Sequence, residues 1–216
     1  MATFTPQDVI TEVRASIQDN KVQYRYDDPT ILRAVNHCLK RIALSRPDLF
    51  ALITTFTTAA GTIQTAPADS IRVIDVLYEA NGNSVNEVNQ ETMDLAMSAW
   101  QAGTTGPATD WMRHPRNPNQ FIVYPPQAGG ETMTIEYSQA PRLYALAETI
   151  DILSDAYFPV VVDCVVWWLE SFDNESVANQ RAQMFQQSWT QLLGITQQNK
   201  PVTDSTSGGQ PPQQVV

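Results

Sequence analysis

Residues 155–172, DAYFPVVVDCVVWWLESF, form the densest apolar run in the chain, and their reading decides the fold. At helical spacing Tyr157, Val161, Val165, Trp168 and Phe172 fall on one stripe, which Val160, Cys164 and Trp167 widen. Valines with paired tryptophans would also suit a strand, but the length of the run and its acidic flanks favour a helix. Crossing a bilayer takes roughly 20 apolar residues. This run is shorter and Asp163 interrupts it, so no membrane span is expected. A helix apolar round most of its circumference must be buried on several sides. The rest of the chain is therefore read by asking what covers it, and whether a neighbouring subunit supplies part of the cover.

Working outward, helical patterns occupy both ends of the chain. Thr5-Pro6-Gln7-Asp8 has the form of a helix start, with a capping hydroxyl, a first-turn proline and an acid at the third position. Ile10, Val13 and Ile17 follow as a narrow stripe, and residues 19–27 make a polar connector. Asp28-Pro29 is expected to start a second helix with Ile31, Leu32, Val35, Leu39 and Ile42 on one face, stopping near Arg46 because Pro47 follows. Lys40 and Arg41 would then answer the dipole of its last turn. On the C-terminal side, after Asp173-Asn174-Glu175, a last helix is expected over about Val177–Ile195, with the stripe Ala178, Ala182, Phe185, Trp189 and Leu192.

Between these ends the period changes to that of strands. β-Branched or alternating runs at Ala51–Thr58, Thr62–Thr65, Ile71–Tyr78, Trp111–Arg113, Phe121–Tyr124 and Thr132–Tyr137 are separated by Gly, Pro and Asn turns. In the last of them Met133, Ile135 and Tyr137 should face inward. Weak helical character marks Glu91–Gln101, residues 103–109 read as a loop, and helical character is expected again after Pro141. The fold class is thus α+β. Residues 1–48 and 149–196 form a helical bundle, and residues 49–148 a β-rich insertion with an antiparallel sheet or sandwich. Residues 197–216, rich in Gln, Pro, Ser and Gly, form an extended tail that buries too little apolar surface to fold alone.

The 216 residues carry a formal charge of −10, spread unevenly. Residues 1–50 hold seven Lys/Arg against six Asp/Glu, residues 51–148 four against ten, and residues 149–216 two against seven. Such a balance lacks the basic footprint of a tight nucleic-acid binder. Cys38 and Cys164 sit in apolar patterns and read as buried thiols, without metal-ligand spacing or a disulfide framework. The N-terminus shows no basic flank followed by an apolar run, so folding in a reducing cytoplasm is expected. His37 beside Cys38 cannot aim both side chains at one metal. No phosphate loop or nucleophile elbow occurs, and the acids of residues 151–175 read as caps and solvated faces. No catalytic, cofactor or metal site is therefore assigned. The candidate contact residues are Arg113, His114 and Arg116, in a basic turn of an otherwise acidic region, and the terminal Val215 and Val216.

Several phrases carry a resemblance: RIALSRPDLF (41–50), PADSIRVIDV (67–76), RNPNQFIVYPP (116–126) and EYSQAP (136–141), then Tyr157–Trp168 and Arg181–Gly194. Over roughly residues 5–196 the chain resembles the head-to-tail adaptor (connector) proteins of tailed bacteriophages, especially short-tailed ones. The resemblance implies a virion protein made in the host cytoplasm and assembled as a ring, commonly of twelve copies, between the portal and the tail or nozzle protein. Double-stranded DNA would pass through the channel without specific binding. An acidic lumen suits that task, because fixed Lys or Arg contacts would resist sliding. Two other readings stand beside it: a nucleic-acid-binding module using Arg113, His114 and Arg116, and an enzyme with helical carboxylates.

Overall fold

The computed structural model describes residues 4–19, 24–172 and 176–194. The element order is α1 (Pro6–Ile17), α2 (Asp28–Ser45), β1 (Ala51–Thr57), β2 (Gly61–Thr65), β3 (Ser70–Glu79), β4 (Asn86–Glu87), α3 (Gln90–Ala96), β5 (Asp110–Arg113), β6 (Gln120–Gln127), β7 (Thr132–Gln139), α4 (Phe158–Glu170) and α5 (Ser176–Leu192). The fold class is α+β. The segments Asp173–Glu175 and Ile195–Val216, with Val215 and Val216, lie outside the described residues, as does the side chain of Ala178.

Helix α1 starts as its sequence dictates: the Thr5 hydroxyl accepts from the Asp8 amide, and the Asp8 carboxylate accepts from the Thr5 amide at 2.8 Å. In α2 the cap falls one residue earlier than the sequence pattern suggests. Asp27 accepts from the Thr30 amide at 3.0 Å, leaving Asp28 free to pair with Arg14 at 2.5 Å. No basic residue occupies the last turn of α2. Arg41 instead lays its guanidinium 4.4 Å over the Trp167 ring, so the dipole reading of Arg41 gives way to a cation–π contact.

One apolar core joins the two ends of the chain. Val9, Ile10 and Val13 of α1, Ile31, Val35, Leu39 and Ile42 of α2, and Trp189 and Leu193 at the end of α5 close round Val161, Val165 and Leu169 of α4. Trp168 packs against the same core as Leu39. Cys38 and Cys164 meet inside it as free thiols. Burial first, and then the Cys164 thiol beside it, push Cys38 well above its ordinary range, so it stays protonated. Two stripe positions differ from the spacing. Phe172 lies beyond the last turn of α4 and is 69% exposed, and Leu192 is 56% exposed because Leu193, four residues after Trp189, takes the inner position. Residues 142–154 are not helical. Helical geometry resumes only with a 3₁₀ turn at Asp155–Tyr157, capped by Ser154.

The intervening strands form two sheets, β1-β7-β3 and β2-β6-β5-β4. Every pair is antiparallel except β4 with β5, which run parallel, so the second sheet is mixed. Val73, Val76, Met133, Ile135 and Tyr137 of the first sheet face Trp111, Phe121 and Val123 of the second. The alternate residues Met112 and Ile122 point the other way, under Met93 of α3 and Trp100. β6 is therefore covered on both faces, which explains its unbroken apolar centre.

The returning segment is tied to the helices by polar groups. The buried Asn36 amide donates to Tyr144 O at 3.1 Å and accepts from Tyr144 N at 2.8 Å, imitating a strand ladder across two elements. Close by, Ile150 N donates to Phe4 O at 2.9 Å and Gln7 N to Leu146 O at 3.1 Å.

Two outcomes are expected. Asn36→Ala leaves both Tyr144 backbone groups unsatisfied and should cost about 2–4 kcal/mol, measured by urea unfolding. Asp163, which accepts from Ser188 at 2.5 Å, is pushed up from its ordinary value by burial. A carboxyl with a raised folded pKa loses stability as pH rises above 3.8, its unfolded value. Asp163→Asn should therefore melt at or above wild type at neutral pH, and the difference should vanish in acid near that value.

Candidate partner-binding site

The turn singled out in the sequence connects β5 to β6 and rims a cleft of about 260 Å³ lined by Arg72, Trp111, Arg113, His114, Arg116 and Gln120. β3 brings Arg72 to it, and β5 brings Trp111 and Arg113. Sequence reasoning missed Arg72, which lies some 40 residues away and enters only through the packing of the two sheets. The turn itself is built locally. His114 Nδ1 accepts from the amides of Arg116 at 3.3 Å and Asn117 at 3.0 Å, so its proton sits on Nε2. Asn117 Oδ1 then accepts from the Asn119 amide at 3.1 Å.

The three arginines are not equivalent. Arg113 is committed within the chain: its Nε donates to Glu87 at 2.6 Å, and Nη1 and Nη2 donate to Val73 O at 3.3 Å and Ile74 O at 2.8 Å. It thereby ties β5 to β3 and β4, and its charge is largely cancelled by Glu87. The guanidinium groups of Arg72 and Arg116 make no hydrogen bond or ion pair among the described residues. Hydrogen bonds from Arg46 chiefly, and more distantly the charge of Arg72, hold the Asp48 carboxyl below its ordinary range. Trp111 is fully buried against the cleft, and its indole N–H finds no acceptor among the described residues. Two unpaired guanidinium groups at the rim suit a carboxylate-bearing side chain entering from another molecule, whereas the buried indole N–H lies out of its reach. On the other side of Arg113 lies a cleft lined by Glu87, Glu91 and Asp94, whose negative charge disfavours a nucleic-acid backbone lying across this surface.

Among the described residues no three His, Cys, Asp or Glu side chains converge as a metal site. No described helix is long and apolar enough to cross a membrane.

The model of the SU10 adaptor protein family matches residues 4–211, nearly the whole chain. The chain belongs to that family, and so to the structural adaptor proteins of bacteriophage virions. None of the curated proteins matches it.

The geometry decides how the cleft is to be probed. Arg113→Glu would set a carboxylate against Glu87 and break the β3–β5 tie, so it should lower stability by itself. Arg72→Glu with Arg116→Glu should leave the melting temperature unchanged and weaken assembly with virion partners. The defect should be greatest at low ionic strength, where rim charges most affect association rate. Unchanged assembly of the folded variant would return the turn to an ordinary surface.

Proposed function

We propose that the chain is the head-to-tail adaptor of a short-tailed phage, a ring of identical copies joining the portal to the tail and surrounding the DNA channel. The observation that carries this reading is the family match along 208 of the 216 residues, spanning 4–211. In this reading residues 1–48 and 149–196 act as the bundle, residues 49–148 as the insertion, and residues 197–216 as an extended arm. The twelve-fold count follows the symmetry expected beneath a portal. Two features support a passive channel: the charge of −10, and the scarcity, among the described residues, of unpaired basic groups outside α2 and the Arg72–Arg116 cleft. DNA would slide past such a surface instead of being held. Arg72, His114 and Arg116 are the proposed contact with an acidic segment of a neighbouring virion protein, and Arg113 is the residue that positions them.

The arm is proposed to engage the portal. Its sequence, with Pro201, Pro211 and Pro212 and no apolar stripe, favours an extended strand that adds along a groove or sheet edge. Val215 and Val216 supply an apolar anchor. One weak arm per copy becomes strong when many copies bind around a ring. Deleting residues 199–216 should leave the melting temperature unchanged and reduce binding to isolated portals by at least about tenfold, a factor that avidity across several sites readily exceeds. Truncated protein that joins portals as well as the full-length chain does would refute the arm's role. The native mass of the full-length chain with and without portals tests the ring itself.

A further inference from the structure

The aromatic side chains of the bundle emerge onto its surface as one contiguous ladder. The Phe172 ring lies 4.8 Å from Trp168, and Trp168 lies 3.8 Å from His37 and 6.1 Å from Trp167. Arg41 covers Trp167, and Leu44, three residues further along α2, is 69% exposed, as is Phe172. Exposed aromatic rings beside an arginine are the composition that protein interfaces concentrate. The α2 side of the ladder is basic, while Asp173 and Glu175 follow Phe172 in the sequence. Between Asp28 and Asp48 the chain holds Arg33, Lys40, Arg41 and Arg46 and no acid. Burial first, and then the charges of Arg41 and Lys40, push His37 below its ordinary value, so its ring is neutral at neutral pH.

Helix α3 has the opposite character. Only Met93 of its residues is buried, while Leu95 is 90% exposed and Met97, just beyond the helix, is 42% exposed. Glu91 and Asp94 stand beside them, and between Arg72 and Arg113 the chain holds six acids and no Lys or Arg. Asp94 is partly occupied, accepting from Trp100 Nε1 at 2.7 Å, which leaves Glu91 as the exposed acid of α3 with no ion pair among the described residues.

We propose that α3 of one copy seats on the α2–α4 ladder of the next copy, with Leu95 and Met97 against Trp168 and Phe172 and Glu91 against Lys40 and Arg41. The proposal rests on the ring reading above and names the two faces such a ring would use. A ring needs a head-to-tail contact between two different patches, whereas a patch that mates with itself gives a closed two-fold dimer. Here each patch repels its own kind and attracts the other. The basic ladder against a second ladder, or α3 against a second α3, brings like charges together. The mixed pairing satisfies both charge and apolar area.

The test follows assembly by sedimentation and native mass, with portals supplied, for the full chain and four variants: Leu95→Ser, Lys40→Glu, Glu91→Lys, and the last two combined. All the altered side chains are exposed, so the melting temperatures should match wild type. Leu95→Ser and each single charge reversal should weaken association between copies by at least about tenfold, the cost of one good interface contact. The combined reversal should recover most of that loss. Full assembly by Leu95→Ser, or a combined variant no better than its worse parent, overturns the pairing and leaves the ring reading standing. A wild-type chain that remains a single copy even on portals overturns both.

Discussion

Everything in this fold depends on covering α4. Eight of its residues, from Val160 to Glu170, are buried, and no side of the helix is left to water along its middle. α5 follows it directly in sequence but can cover only one flank. The other flanks are taken by α1 and α2, more than a hundred residues earlier. The chain must therefore leave the bundle after α2 and return to the same place before α4. The exit is marked by Phe50, buried in the helical core by a 3₁₀ turn at Pro47–Phe50. The return runs beside the N-terminus, where Phe4 and Ile150 pair. An insertion whose two ends are pinned this closely can vary in content without disturbing the core it interrupts.

Apolar area alone does not fix how four helices rotate against one another, and the polar groups within the core supply that register. Asn36 reads the backbone of Tyr144 in both directions. The fully buried Glu170 of α4 lies 3.4 Å from Arg25, before α2, and 4.0 Å from Arg181 of α5, so one carboxylate gathers three separate segments. Such a cluster adds little net stability compared with packed hydrocarbon, because desolvation offsets attraction. Removing one member, however, strands a buried charge. Misaligned arrangements carry that same penalty, and this selects the observed one.

The helices, the strand positions and the identity of α4 as the centre were legible because apolar periodicity records burial directly. Met133, Ile135 and Tyr137 face inward as their alternation requires. Three kinds of information were not legible. Residues 142–154 have the composition of a helix but are held in a looped, non-helical course by Asn36 and by the Tyr144–Asp151 hydrogen bond of 3.0 Å, contacts that apolar periodicity does not record. The parallel pairing of β4 with β5 involves two residues, too few for any period. At the candidate cleft, spacing found Arg113, His114 and Arg116 as a cluster but could not rank them. Only the structure separates Arg113, spent on Glu87 and two carbonyls, from Arg116, which has no such partner, and only the structure adds Arg72.

The proposed ring asks a chain of net −10 to pack against copies of itself. A uniformly charged surface would repel its neighbours. Here the sign changes between elements: residues 29–47 hold no acid and form most of α2, whereas residues 73–112 hold no base and include β4 and α3. At physiological salt, charges separated by more than about 8 Å are largely screened from one another. Two copies in contact therefore respond to the patches that face each other, and the net charge acts only weakly at larger separation. In the proposed pairing, repulsion between like patches works as a selector, because it disfavours the orientations that would close a pair and leaves those that continue from one copy to the next.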